Sequence, residues 1–418
     1  MKETVKYLLS EKSIINLLLL LVFFLYVKKL PIDIETQPFI LFFTSIILIL
    51  FTKINISKTD YWLVFYVLVL TMYFVVQFII KQTGLIAYLT FLVGPLAYLV
   101  FKNKVHLFSG KLIKWIIVIY ATVAVIIFFK IPLFYEIVKF FYSFFIPRSG
   151  WMDGSEIRGI TLFAPEPSYF AFFSVLLLAC LDIVSLRGVK VFKYKAVLVA
   201  IVIISKSALV FIYTGFYLLF FYLDFGSIKS FFKVRSRKII FITVSVVILI
   251  LPFLLFEQSR IAQVFTNIYQ NLTNKESFEK LLLTEVSGST RFIMNTLGYM
   301  SVEDAPFGWG LGEFQNNYHI VGHKFHSLMS QHGELSYDYL NKLPLKAQTY
   351  LANLVGDIGV FSLPLFLFLF LSLFQQTNNQ IKRALKLLIL LMLVFVQAQI
   401  SNPVPWILLA ILNSKRLT

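Results

Sequence analysis

Apolar runs of membrane-crossing length follow one another through this chain, and the short segments between them hold most of its lysines and arginines. About 20 apolar residues are needed for each helical crossing. With a cytoplasmic N-terminus, the runs 13–30, 38–52, 61–80, 84–101 and 113–131 read as five crossings. Lys53 and Lys58, then Lys102, Lys104 and Lys111, fall on the N-terminal side, as the bias of basic residues toward the cytoplasm requires. The run from Ile14 has charged flanks but no small-residue cleavage site after it, so it is read as the first span rather than a signal peptide.

A sixth span over about 166–185 returns to a basic segment carrying Arg187, Lys190, Lys193 and Lys195. The next run, 196–223, is basic at both ends, which requires an even number of crossings from a stretch too short for two full ones. The solution is two short helices turning at "ISKSAL" (204–209), with Lys206 at the turn and facing a protein-lined cavity. A ninth span covers about 239–256, and spans near 347–374, 387–400 and 403–413 close the chain. The last two form a second short hairpin around "SNPVP" (401–405).

The expected fold is therefore an all-α polytopic membrane protein of about twelve transmembrane helices, including short helical hairpins, with one large extracytoplasmic loop containing helices. Residues 1–256 form a transmembrane bundle with an outer interfacial segment at 132–158, residues 257–346 the large loop, and residues 347–418 the last three spans. Within the loop, Ile261 to Leu283 shows helical periodicity without enough apolarity to span, and "APFGWGLGEF" (305–314) reads as a tight turn rather than a phosphate loop. A hydrophobic fraction of 59% agrees with this class. The formal charge of +17 would suggest nucleic acid in a soluble protein, but its placement between apolar runs assigns it to topology, and no nucleic-acid partner is expected. The single cysteine, Cys180, excludes an intrachain disulfide.

Charged groups at membrane depth are costly and tend to be functional. Arg158, Lys206 and Arg291 all fall at the outer leaflet or just above it, where they suit a phosphate-rich headgroup. Glu166, between Pro165 and Pro167 and followed by Ser168, has three open roles: capping the helix start, pairing with Arg158 or Lys206, or accepting a proton from an incoming hydroxyl. His319, His323, His326 and His332 lie in the loop, but no carboxylate or cysteine completes a metal set. A general base among them is the better reading, with His326 the candidate nearest the return to the membrane. Asp338 and Asp357 are further acidic candidates, Asp357 alternatively marking a helix-packing site.

Four segments in order resemble the bacterial O-antigen polymerase and ligase superfamily of membrane glycosyltransferases. They are "RGITLFAPEPSYFAFF", "IISKSALVFI", "GSTRFIMNTLGYMSVEDAPFGWGLGEF" and "AQTYLANLVGDIGVFSLPLF", which together cover about 158–370. The resemblance implies transfer of a glycan from an undecaprenyl diphosphate carrier to a hydroxyl acceptor outside the inner membrane, with no cofactor, sugar nucleotide or metal. It further implies that Arg158, Lys206 and Arg291 hold the diphosphate, and that Glu166, or else His326, deprotonates the acceptor, which Ser168 and Gln348 help to orient. Gln348 stands where ligases of the group carry histidine, which favours a repeat-unit polymerase over a ligase. Lys206 stands where arginine is usual, keeping the charge without the bidentate fork. Partners implied are the lipid-linked oligosaccharide as donor and acceptor, membrane lipids, and a separate chain-length regulator. The competing readings are the ligase and a flippase of lipid-linked sugars; against the flippase stand the single large loop and the absence of two related halves.

Overall fold

The computed structural model describes residues 10–24, 26, 42–43, 45–46, 48–49, 54–145, 160–164, 166–222, 278–284, 286–375, 377, 379–395 and 400–414. All regular structure among the described residues is helical. Among the described residues, five helical segments are long and apolar enough to cross a membrane: Asp60–Lys81, Leu85–Leu107, Gly110–Phe129, Pro167–Ser185 and Tyr350–Leu373. These make the chain consistent with a membrane protein. The expected span over 38–52 lies mostly outside the described residues, and that over 239–256, with the boundary at 256, wholly outside them.

In chain order the bundle begins with α1 (Glu11–Phe23), α2 (Asp60–Lys81), α3 (Leu85–Lys104), α4 (Gly110–Phe129) and α5 (Pro132–Phe145). The crossing expected over 13–30 is a helix of only 13 residues, closed by the Phe24 N–H on Leu21. α5 keeps Leu133, Phe134, Ile137 and Phe140 exposed on one side, the pattern of a helix lying at an interface. At one end of the bundle Lys102 of α3 meets the buried Asp60 of α2, whose carboxylate also takes the Tyr98 hydroxyl at 2.7 Å. A buried carboxylate is tolerable only when so fully paired.

α6 (Phe170–Ser185) follows a 3-10 turn, Pro167–Tyr169, and leads to α7 (Phe192–Ser205) and α8 (Ala208–Tyr222). α7 ends at Lys206, whose φ of 51° is left-handed. Near the start of α7, Lys195 reaches the Tyr222 hydroxyl at the end of α8 at 3.3 Å, so the two helices are antiparallel and both outer ends meet at one side. This is the turn-back that basic flanks at both ends required. Lys195 also pairs with Asp182 of α6, which accepts the Tyr217 hydroxyl at 2.9 Å. The second hairpin repeats the arrangement: Lys382, near the start of α16 (Gln380–Leu390), donates to the Ser414 carbonyl just past α17 (Val404–Asn413) at 3.1 Å.

Between the hairpins, α9 (Phe278–Thr284), α10 (Val286–Asp304), α11 (Phe314–Gly322), α12 (His326–Gln331) and α13 (Ser336–Leu340) gather around their own apolar cluster. Met294, Leu297, Phe314, Tyr318 and Met329 fill it, so this region is a packed unit and not a loose connection. Of the stretch expected to be helical over 261–283, only 278–283 fall among the described residues, and these are helical.

The span expected over 347–374 is interrupted. α14 (Tyr350–Ile358) and α15 (Leu363–Leu373) are separated by a 3-10 turn, and Gly359 has a φ of 56°. The cause is the glycine-rich turn at 305–312, which packs so closely that a Cβ on Gly359 would lie 2.1 Å from the Pro306 carbonyl oxygen. The Val360 N–H donates to that same oxygen at 2.9 Å. Asp357, one of the acidic candidates, is committed to this docking: its carboxylate accepts the N–H of Gly312 at 2.8 Å and of Phe314 at 3.1 Å.

Candidate functional site

α6 and α8 run side by side in the same direction. The Ser174 and Thr214 hydroxyls meet at 2.9 Å, and the Phe172 and Tyr213 rings lie 5.8 Å apart edge to face. Because the two helices are parallel, Glu166, just ahead of the turn into α6, and Lys206, just ahead of α8, lie at the same end of the pair. The 3-10 turn Pro167–Tyr169 packs against α8, in agreement. Lys206 extends its ammonium over the Phe128 ring near the end of α4, at 6.0 Å.

Glu166 is extended (φ −137°, ψ 147°) in the capping position of that turn, yet its side chain accepts no capping hydrogen bond. Its carboxylate instead takes the Ser168 hydroxyl at 3.4 Å. The half-buried carboxylate therefore does not cap the turn.

Arg291 enters from α10. Its charge acts on the Tyr213 hydroxyl of α8, which is buried and has no hydrogen-bond partner among the described residues. One helical turn further, Asn295 shares the Arg291 face and accepts the Gln348 backbone N–H at 2.8 Å. Asn353 holds the same segment from the other side, donating to the carbonyls of Ala347 at 2.5 Å and Thr349 at 2.7 Å. Gln348 is therefore fixed beside the arginine helix by two asparagines.

Glu166, Ser168 and Lys206 therefore lie at the leading end of the α6–α8 pair, and Arg291 of α10 lies within electrostatic range of Tyr213 in α8. Arg158 lies outside the described residues. His326 is exposed on α12 and hydrogen-bonds the Tyr339 hydroxyl at 3.1 Å. The histidine tied to the start of the arginine helix is His332, fully buried, whose Nε2 is 2.7 Å from the Ser289 hydroxyl. Its Nδ1 accepts the N–H groups of Glu334 and Leu335 at 3.3 Å, so Nε2 carries the proton and donates to Ser289. That tautomer makes His332 a strut for the Arg291 turn and not a base toward Ser289. Burial, opposed by the nearby Glu334 carboxylate, holds its pKa below the usual imidazole range.

Tyr213 and Asn295 are not among the sequence-derived candidates, and His332 stands there only as one of four loop histidines. Spacing within α10 would have offered Asn295, which follows Arg291 by four residues. Nothing local marks Tyr213 or distinguishes His332 from the other three loop histidines. Comparison with protein-family models, characterised proteins and solved structures finds no match to this chain.

Proposed function

We propose that this chain is a surface-polysaccharide (O-antigen) polymerase of the bacterial inner membrane, a glycosyltransferase acting at the periplasmic face. It moves a glycan from undecaprenyl diphosphate onto a hydroxyl of another lipid-linked repeat unit. What supports this reading is that Glu166 and Lys206 lie at the same end of the α6–α8 pair, where α7 and α8 break at Lys206, with Arg291 within electrostatic range of Tyr213 in α8.

In this reading the acceptor oxygen attacks the anomeric carbon as the bond from that carbon to the diphosphate breaks. Lys206 and Arg291, joined by Arg158, stabilise the negative charge that develops on the departing diphosphate. Because the leaving group is already activated, the residues need only neutralise it and direct the acceptor. Glu166 takes the hydroxyl proton or orients the hydroxyl, with Ser168 and Gln348 alongside. His326, exposed on α12, is the second candidate for that proton.

Gene deletion read on a lipopolysaccharide gel tests the proposal. Cores bearing a single repeat unit are expected. Bare core with carrier-linked polymer would make the chain a ligase, and unflipped repeat units inside the cell would make it a flippase.

A further inference from the structure

A groove of about 640 Å³ runs along the outward face of α2 and ends beneath the glycine-rich turn. Its floor is Phe65, Leu68, Met72 and Val76, spaced three or four residues apart and thus on one helix face. These side chains are 50%, 58%, 67% and 54% exposed, on a helix long and apolar enough to cross a membrane. Phe361 forms the far wall.

The polar groups at the closed end decide what fits. Gln77 is committed to Leu311, accepting its N–H at 2.6 Å and donating to its carbonyl at 3.2 Å. The Tyr73 hydroxyl is committed to the carbonyls of Phe307 and Asp357, at 3.1 and 3.2 Å. Two side-chain groups are left over in the lining: the exposed ammonium of Lys81, and the buried indole N–H of Trp309, which has no partner among the described residues. Both are donors and one is a cation. An apolar trough ending in donors alone complements an amphiphile whose head is an anionic acceptor.

We propose that this groove holds one anionic phospholipid, its acyl chain along Phe65 to Val76 and its phosphate against Lys81. The lipid is resident rather than substrate: Arg291 and the end of α10 nearest the groove, Asp304, are separated by about 20 Å of helix. No residue of the arginine helix α10 lines the groove. The inference rests on α2 lying in a membrane and is independent of the glycosyltransferase reading.

The test uses the full chain, stripped of lipid in detergent and supplied with phosphatidylglycerol, phosphatidylcholine or an isoprenyl phosphate, with retained lipid counted by native mass spectrometry. One phosphatidylglycerol per chain is expected. Lys81→Gln should weaken retention about fivefold, equivalent to about 1 kcal/mol, and Met72→Trp should abolish it by filling the trough. Both positions are exposed, so the variants should elute as the parent does. Equal retention of phosphatidylcholine, or unchanged retention in both variants, would overturn the proposal. Displacement of phosphatidylglycerol by less than an equimolar amount of isoprenyl phosphate would also overturn it, assigning the groove to the carrier.

Discussion

The carboxylate of Asp357 accepts the backbone N–H of Gly312 at 2.8 Å, joining the glycine-rich turn to the break between α14 and α15. A second N–H, from Phe314, comes to the other oxygen at 3.1 Å. Asparagine at 357 keeps the shape but sets its amide N–H₂ against one of those donors. Asp357→Asn should therefore cost about 1–3 kcal/mol, the range for a buried donor left without its acceptor. Denaturation of the purified protein checks this, and an unshifted midpoint would mean that the turn is held by its other bonds.

The same turn leaves no room at Gly308, where a Cβ would lie 2.2 Å from the Asp357 carbonyl oxygen and φ is 80°. Gly308→Ala should destabilise this junction through both the clash and the left-handed backbone, whereas Glu313→Ala, just beyond it, should not. Limited proteolysis of the two variants distinguishes them: faster cleavage within 305–314 is expected for the first alone.

Buried His332 makes the packed unit of α9 to α13 sensitive to acid. Its pKa is lowered by burial, so the unfolded chain binds the proton more readily than the folded one. The stabilisation is complete above about pH 6.5, the unfolded value, and is lost as the pH falls through it toward the lower folded value. Unfolding midpoints measured from pH 8 to pH 5 should decline over that window. His332→Asn should flatten the profile, and a parental slope in that variant would assign the effect to another group.

How much of this could be read from the sequence depends on the range of the forces involved. The α7–α8 turn was legible because two basic flanks and a short apolar run are local facts with a topological consequence. The docking of 305–312 on Gly359 was not, because it joins segments about 50 residues apart through backbone atoms that no side-chain pattern announces. For the same reason the aligned glycines did suggest a turn, but not what it packs against. Among four loop histidines, only the packing of α10 against the following helices selects His332 to meet Ser289. That Glu166 and Lys206 share one end follows from the pairing of α6 and α8 through the small hydroxyls of Ser174 and Thr214, which look unremarkable in an apolar run.

Asp182 and Lys195 form a buried ion pair at the end of the bundle opposite the Lys206 turn, with Tyr217 and Tyr222 completing its hydrogen bonds. Removing one partner leaves the other charge buried, so Asp182→Ala should cost about 3–5 kcal/mol. Combining it with Lys195→Met should recover most of that loss, because the desolvation cost disappears with the charge. A double variant as unstable as the single one would mean that the pair contributes net attraction beyond its own desolvation.

Lys206 combines two properties that a single substitution can separate. Its φ of 51° is strained for a residue with a Cβ, and it carries a cation at the same end of the α6–α8 pair as Glu166. Lys206→Gly removes the charge while suiting the backbone, so the folded protein should be as stable as the parent or up to about 1 kcal/mol more stable. If the charge neutralises a departing diphosphate, chain extension by reconstituted protein should fall about 100-fold all the same. Lys206→Arg should retain extension at the cost of leaving the strain in place, since the cation is kept. A glycine variant that extends chains at the parental rate would leave Lys206 only the work of turning the helix.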